Sequence, residues 1–125
     1  MKISEVSQQS GLSVDTLRYY EKIGLIPPIN RNGSGIRDYS ELDVRRIEFI
    51  KYMRTAGLPI EVLTDYFVLV EQGDETIAAR QEILQEQRAR LVAKMAELQE
   101  TLDVLNHKID IYENKVLKTE QAFAE

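Results

Sequence analysis

Apolar residues recur at helical spacing along most of the chain, and glycine or proline interrupts them between segments. Ile3–Gln9, with Val6 on its inner side, and Ser13–Lys22, with Val14 and Leu17 facing one way, predict two short helices. Ser10-Gly11-Leu12 between them forms a tight turn, and Ser13 is a good N-cap. Gly24, Pro27 and Pro28 close the second helix, and Asn32-Gly33-Ser34-Gly35 reads as the tip of a hairpin. Ser40-Glu41-Leu42-Asp43 is a capping box opening a third helix with Val44, Ile47, Ile50 and Met53 on one face. Gly57 stops that helix, and Pro59 suits the first turn of a fourth. The fourth runs to Gly73 and carries Val62, Leu63, Tyr66, Phe67, Leu69 and Val70.

Residues 74–125 contain neither glycine nor proline, which predicts one long helix with a frayed end. Within it Leu91, Met95, Leu98, Leu102, Leu105, Ile109, Tyr112 and Val116 alternate spacings of four and three. Leu84 continues this seam backwards, but Gln81 and Arg88 interrupt it. One reading packs the seam on its own domain; the other joins two copies in a coiled coil. About forty helical residues span ~60 Å, longer than a domain of about 70 residues is wide, and this favours the second reading. The expected fold class is therefore all-α with a small β-hairpin wing: a winged helix-turn-helix DNA-binding domain followed by a long dimerising coiled-coil helix. The expected boundaries are 1–72 for the DNA-binding domain, 73–118 for the dimerisation helix and 119–125 for a flexible tail.

Composition narrows the chemistry. The chain has 125 residues, no cysteine and a single histidine, His107, which reads as a solvated helix residue. Thiolate catalysis, disulfides and cysteine-based metal sites are excluded, and neither a metal nor a cofactor is expected. No apolar run is long enough for a membrane span and the N-terminus lacks a signal-like apolar region, so a cytoplasmic protein without membrane partners is expected. The net charge of −5 conceals an asymmetry. Residues 1–58 hold nine basic against seven acidic side chains; residues 59–125 hold seven against fourteen. That division suits a DNA-facing front and an acidic rear.

The second helix presents Thr16 and Tyr19 opposite Val14 and Leu17, with Asp15 and Lys22 nearby and Arg18 and Tyr20 on the flanks. Hydroxyls and a guanidinium near a helix start are what base edges and phosphates require in a major groove. The alternative has Tyr19 and Tyr20 as half-buried packing residues and Arg18 paired with Glu21. The hairpin shifts the balance: Arg31 and Arg37 flank a flexible tip, with Tyr39 close behind, an arrangement suited to straddling a phosphate backbone. Nothing offers a nucleophile–base pair, a metal cluster or a phosphate-cradling loop, so an enzyme is not expected.

With these residues the sequence resembles the MerR family of bacterial transcription regulators. The resemblance rests on Ile3-Ser4-Glu5-Val6, Gly11-Leu12-Ser13, the run Thr16–Ile26, the wing ending Gly35-Ile36-Arg37-Asp38-Tyr39, and Ile47–Leu58. It is close over roughly residues 1–70. It implies a second wing formed by the third and fourth helices and an antiparallel coiled coil joining a homodimer. It also implies binding to palindromic operators in promoter DNA, where bending and untwisting the spacer realigns the promoter for RNA polymerase. Carried onto this sequence, Thr16, Arg18, Tyr19 and Tyr20 are recognition-helix contacts, Arg37 and Tyr39 serve the first wing, and Arg54 is a phosphate contact of the second. Ser13, Lys22 and Arg31 stand beside them.

The absence of cysteine removes the metal-binding and thiol-switch mechanisms of such regulators. After Val116 there is no room for an extra ligand domain. A possible effector pocket near the hinge before the long helix draws on Tyr52, Tyr66 and Phe67, for which core packing is the plainer reading. Two other functions compete. An architectural DNA binder, similar to excisionases, has no need of the long helix. An adaptor acting through the coiled coil has no need of Arg18 and Arg37.

Overall fold

The computed structural model describes residues 1–124, and of Val116, Leu117 and Thr119 the backbone alone. The elements are α1 (Ile3–Ser10), α2 (Val14–Lys22), α3 (Glu41–Thr55), α4 (Ile60–Glu71), a 3-10 turn (Asp74–Thr76) and α5 (Ile77–Ala124). The chain divides into two units, Met1–Gln87 and the residues from Arg88 onward.

The first unit is built by its caps. Gly11 ends α1 in the left-handed region at φ 77°, and its N–H returns to the Ser7 carbonyl at 2.9 Å. Ser10, itself buried, accepts the Leu12 N–H at 3.2 Å, so the three-residue turn is satisfied internally. Ser13 begins α2 by accepting the Thr16 N–H at 3.0 Å. Ser40 and Asp43 exchange hydrogen bonds of 3.1 and 2.8 Å, the reciprocal capping box that opens α3. Pro59 stands at the N-cap of α4, one residue earlier than the first-turn position expected of it.

Against one another these helices bury Val6, Leu17, Leu25, Ile26, Ile47, Ile50 and Leu63 almost completely. Of the expected α3 face, Ile47 and Ile50 are core residues, and Val44 and Met53 pack at its edge. Phe67 joins the core from α4, where Phe49 of α3 meets it edge-on with ring centroids 5.9 Å apart.

The segment between α2 and α3 departs from the expected hairpin. No strand occurs among the described residues; the two arms meet in one antiparallel bridge, Arg31↔Arg37. The turn is closed by Asn32, whose N–H reaches the Ile36 carbonyl at 2.8 Å and whose side chain accepts the N–H groups of Ser34 and Ile36. Pro27 and Pro28 have no N–H for a longer ladder, and the arms are fixed instead by burial of Ile29 and Tyr39.

The long helix α5 begins at Ile77, after the 3-10 turn rather than at Asp74. In the second unit it carries Met95, Leu98, Leu102, Leu105, Ile109 and Tyr112 exposed, while Leu91 is half-buried; within the first unit Leu84 is exposed. Val116 lies outside the side chains described. No described helix is long and apolar enough to cross a membrane.

Candidate nucleic-acid interface

Ser13 places the start of α2 at the surface with its hydroxyl 2.8 Å from that of Thr16, so the two share one hydrogen-bonding corner at the helix N-terminus. Asp15, Arg18, Tyr19 and Lys22 are exposed beyond it. Arg18 approaches Asp15 at 3.8 Å, not Glu21 as the packing alternative had it, and Asp15 is almost fully solvated. Such an exposed pair holds the guanidinium weakly and leaves its donors accessible.

Glu21 instead faces the loop. Its carboxylate accepts from Arg37 Nε at 3.0 Å, in a pair whose side chains are both largely covered. This bond ties the loop to α2 across sixteen residues of sequence. Arg31, opposite Arg37 in the bridge, folds back to donate to the Gly35 carbonyl at 2.8 Å. Two cations face each other across one bridge, and Glu21 offsets that repulsion on the Arg37 side.

Two expected surface residues are core residues. Tyr20 is 6% exposed and Tyr39 3%, whereas Tyr19 is 50% exposed. Tyr20 follows Leu17 by three positions and so shares its inward face. Tyr39 directly precedes the Ser40 cap and belongs to the hydrophobic core. Its hydroxyl has no hydrogen-bond partner among the described residues, and burial, with Glu21 nearby, raises its pKa above the ordinary phenol value.

Arg54, at the end of α3, is exposed and donates to the Leu58 carbonyl at 2.9 Å, bracing the turn into α4. The residues of the expected effector pocket do not converge. Tyr66 and Phe67 form a cluster with Phe49, but Tyr52 is 67% exposed and makes no ring contact among the described residues.

Sequence reasoning passed over Arg46. Its Nε and Nη2 both donate to the Leu25 carbonyl, at 3.2 and 2.9 Å, and its guanidinium lies 3.9 Å above the Phe67 ring centre. Arg46 precedes Ile50 and Met53 by four and seven positions, so the helical period alone places it on the inner face. Lys51, whose ammonium lies 3.8 Å from where a side chain on Gly11 would begin, was passed over too.

Comparison with known proteins decides the family. The model of the MerR HTH family regulatory proteins matches residues 1–68, and a second, described as MerR DNA binding, matches residues 44–108. The chain belongs to the MerR family. A transcriptional regulator of Bacillus subtilis, AdhR, is 55% identical over 92 residues, covering 74% of this chain and 66% of AdhR. The match thus spans just under two thirds of that relative's length. HmrR of Rhizobium leguminosarum is 38% identical, over 87% of this chain and 84% of its own. A crystal structure described as a MerR family regulator from Listeria monocytogenes superposes with a TM-score of 0.91 at 46% identity, covering 98% of this chain and 93% of that one. HiNmlR, a MerR family regulator lacking the sensor domain and solved bound to promoter DNA, gives 0.82 at 26% identity over 90% of each chain. MerR proteins of this kind are regulators, and this chain is not an enzyme.

Proposed function

We propose that this MerR-family chain is a transcription regulator that binds double-stranded promoter DNA as a homodimer at a palindromic operator. The observation that carries the reading is the exposed start of α2, where Ser13 and Thr16 share a hydrogen bond and Arg18, Tyr19 and Lys22 stand clear of the core. In a major groove these groups supply base-edge donors and phosphate ligands. The Glu21–Arg37 pair gives the loop a fixed register against α2, so that the loop serves as a wing with Arg31 at its arm. Arg54 and the α3–α4 turn meet a flanking phosphate as the second wing. Tyr20 and Tyr39 act from beneath, by holding α2 and the loop in place.

Residues 1–72 form the DNA-binding domain in this reading, 73–118 the dimerisation helix and 119–125 a flexible tail. The exposed seam Met95–Tyr112, with Leu91, and with Leu84 before it, closes an antiparallel coiled coil with a second copy. Two recognition helices held by one dimer bend and untwist the promoter spacer, and RNA polymerase senses the protein through that DNA. Such a protein works in the cytoplasm without a cofactor. The promoter-bound HiNmlR structure supports the reading by fold.

A mobility shift on the inverted repeat upstream of the protein's own gene tests it. Binding should weaken steeply with salt, and Arg18→Ala should cost about tenfold or more in affinity. The absence of a specific complex at low salt would refute the proposal.

A further inference from the structure

A cleft of about 340 Å³ opens in the first unit between Pro27, the start of α3 and the end of α4. Pro27, Leu42, Phe67 and Val70 give it apolar walls, and its polar groups are Asp43, Arg45 and Arg46. Small-molecule sites share this composition, an apolar cavity of at least ~300 Å³ with few polar groups.

The polar groups are unequal. Asp43 is engaged in the α3 capping box, and Arg45 is a solvated side chain 3.4 Å from Glu41. Arg46 is fixed by the Leu25 carbonyl and by the Phe67 ring, yet its Nη1 makes no hydrogen bond among the described residues. Its carboxylate neighbour, Glu71, stands 3.9 Å away and is mostly solvated. Burial lowers the Arg46 pKa although Glu71 and Asp43 oppose it. A guanidinium fixed on an aromatic floor, with its Nη1 not engaged among the described residues, suits an anion with an apolar body.

We infer that this cleft binds a small carboxylic acid carrying an aromatic or branched apolar group. The carboxylate meets Arg46 in place of Glu71, and the apolar body lies against Leu42, Phe67 and Val70. Glu71 is the last residue of α4 and precedes Gly73 by two positions, so occupancy withdraws an ion pair from the end of that helix. The site consists of this chain's residues 27–71 and does not depend on the DNA-binding reading.

The probe is phenylacetate, followed by NMR at the Arg46 Nε–H and at the Leu42 and Val70 methyl groups of the full chain, with phenylacetamide as the uncharged control. Phenylacetate should give saturable shifts at all three positions, and the amide should bind about tenfold more weakly. Two substitutions act in opposite senses. Leu42→Glu, at an exposed position on the rim, should weaken binding about tenfold. Glu71→Gln, which removes the competing carboxylate, should tighten it about threefold. Circular dichroism checks that each variant remains folded. The inference is overturned by equal binding of acid and amide, by indifference to both substitutions, or by an absence of saturable shifts. Shifts at the same methyls on raising protein concentration without probe would show a second copy in the cleft and would overturn it equally.

Discussion

The two units treat their apolar side chains in opposite ways. In Met1–Gln87, aliphatic side chains from α1, α2, α3 and α4 disappear into one core, and of the polar groups beside them the Tyr39 hydroxyl lacks a partner among the described residues. From Arg88 onward the same residue types repeat at helical spacing and stay in solvent: Met95, Leu98, Leu102, Leu105, Ile109 and Tyr112 are all exposed. Helical propensity is common to both, so it does not explain the difference. A core needs surfaces that close on each other, and short helices joined by turns supply them within one chain. A lone helix does not, and its apolar stripe gains from burial when another molecule provides the second surface.

The contrast can be broken most severely at the seam. Leu98→Glu together with Leu105→Glu should convert a dimer to monomers, raising the dissociation constant by more than about a hundredfold, because unpaired charges resist burial. Sedimentation over a range of concentrations measures this, and an unchanged dimer would remove the seam from the interface. In the first unit a cavity should act alike at every concentration. Ile50→Ala should cost about 2–5 kcal/mol in urea unfolding of that unit, as large-to-small core changes do. A cost that varied with protein concentration would mean that the core itself depends on a second copy.

The smallest effect concerns the polar group the core leaves unmatched. Tyr39→Phe removes a buried hydroxyl without a partner and should be neutral or stabilising by up to about 1 kcal/mol near neutral pH. The alkaline range sharpens the test. Tyr39 has its folded pKa raised, so its contribution is complete below the unfolded value of 10.0 and is lost as pH rises through the folded value. The phenylalanine variant should lack this loss, as urea melts at successive alkaline pH values would reveal.

Much of the first unit was legible in the sequence because its punctuation is chemical. Gly11, Ser13, Ser40 and Gly57 each announce a backbone geometry, and the helices begin or end beside them. Tyr20 was readable as well: its three-residue offset from Leu17 outweighs the attraction of a polar Arg-Tyr-Tyr run. Tyr39 stands just before the Ser40 cap, where an apolar residue commonly packs back on the helix, and that position outranked its hydroxyl. The Glu21–Arg37 pair had no local signature, since its members are brought together by the path of the chain between them. The hairpin closed in a single bridge rather than in strands because its tip was favourable while its first arm began in proline. Arg46 escaped for a simpler reason: the inner face of α3 is traced by its apolar members Val44, Ile47, Ile50 and Met53, and a charge on that stripe reads as an interruption facing water.

The connection from α4 to α5 is held by an unusual economy of atoms. Thr76 is buried, and its hydroxyl donates towards the Leu69 carbonyl at 2.5 Å and the Gly73 carbonyl at 2.8 Å while accepting from Arg80 Nε at 3.1 Å. Arg80 Nη2 reaches the Gly73 carbonyl as well, at 3.2 Å. One hydrogen therefore serves two acceptors within the first unit, so that loss of this single hydroxyl would withdraw a donor from the Leu69 and Gly73 carbonyls at once.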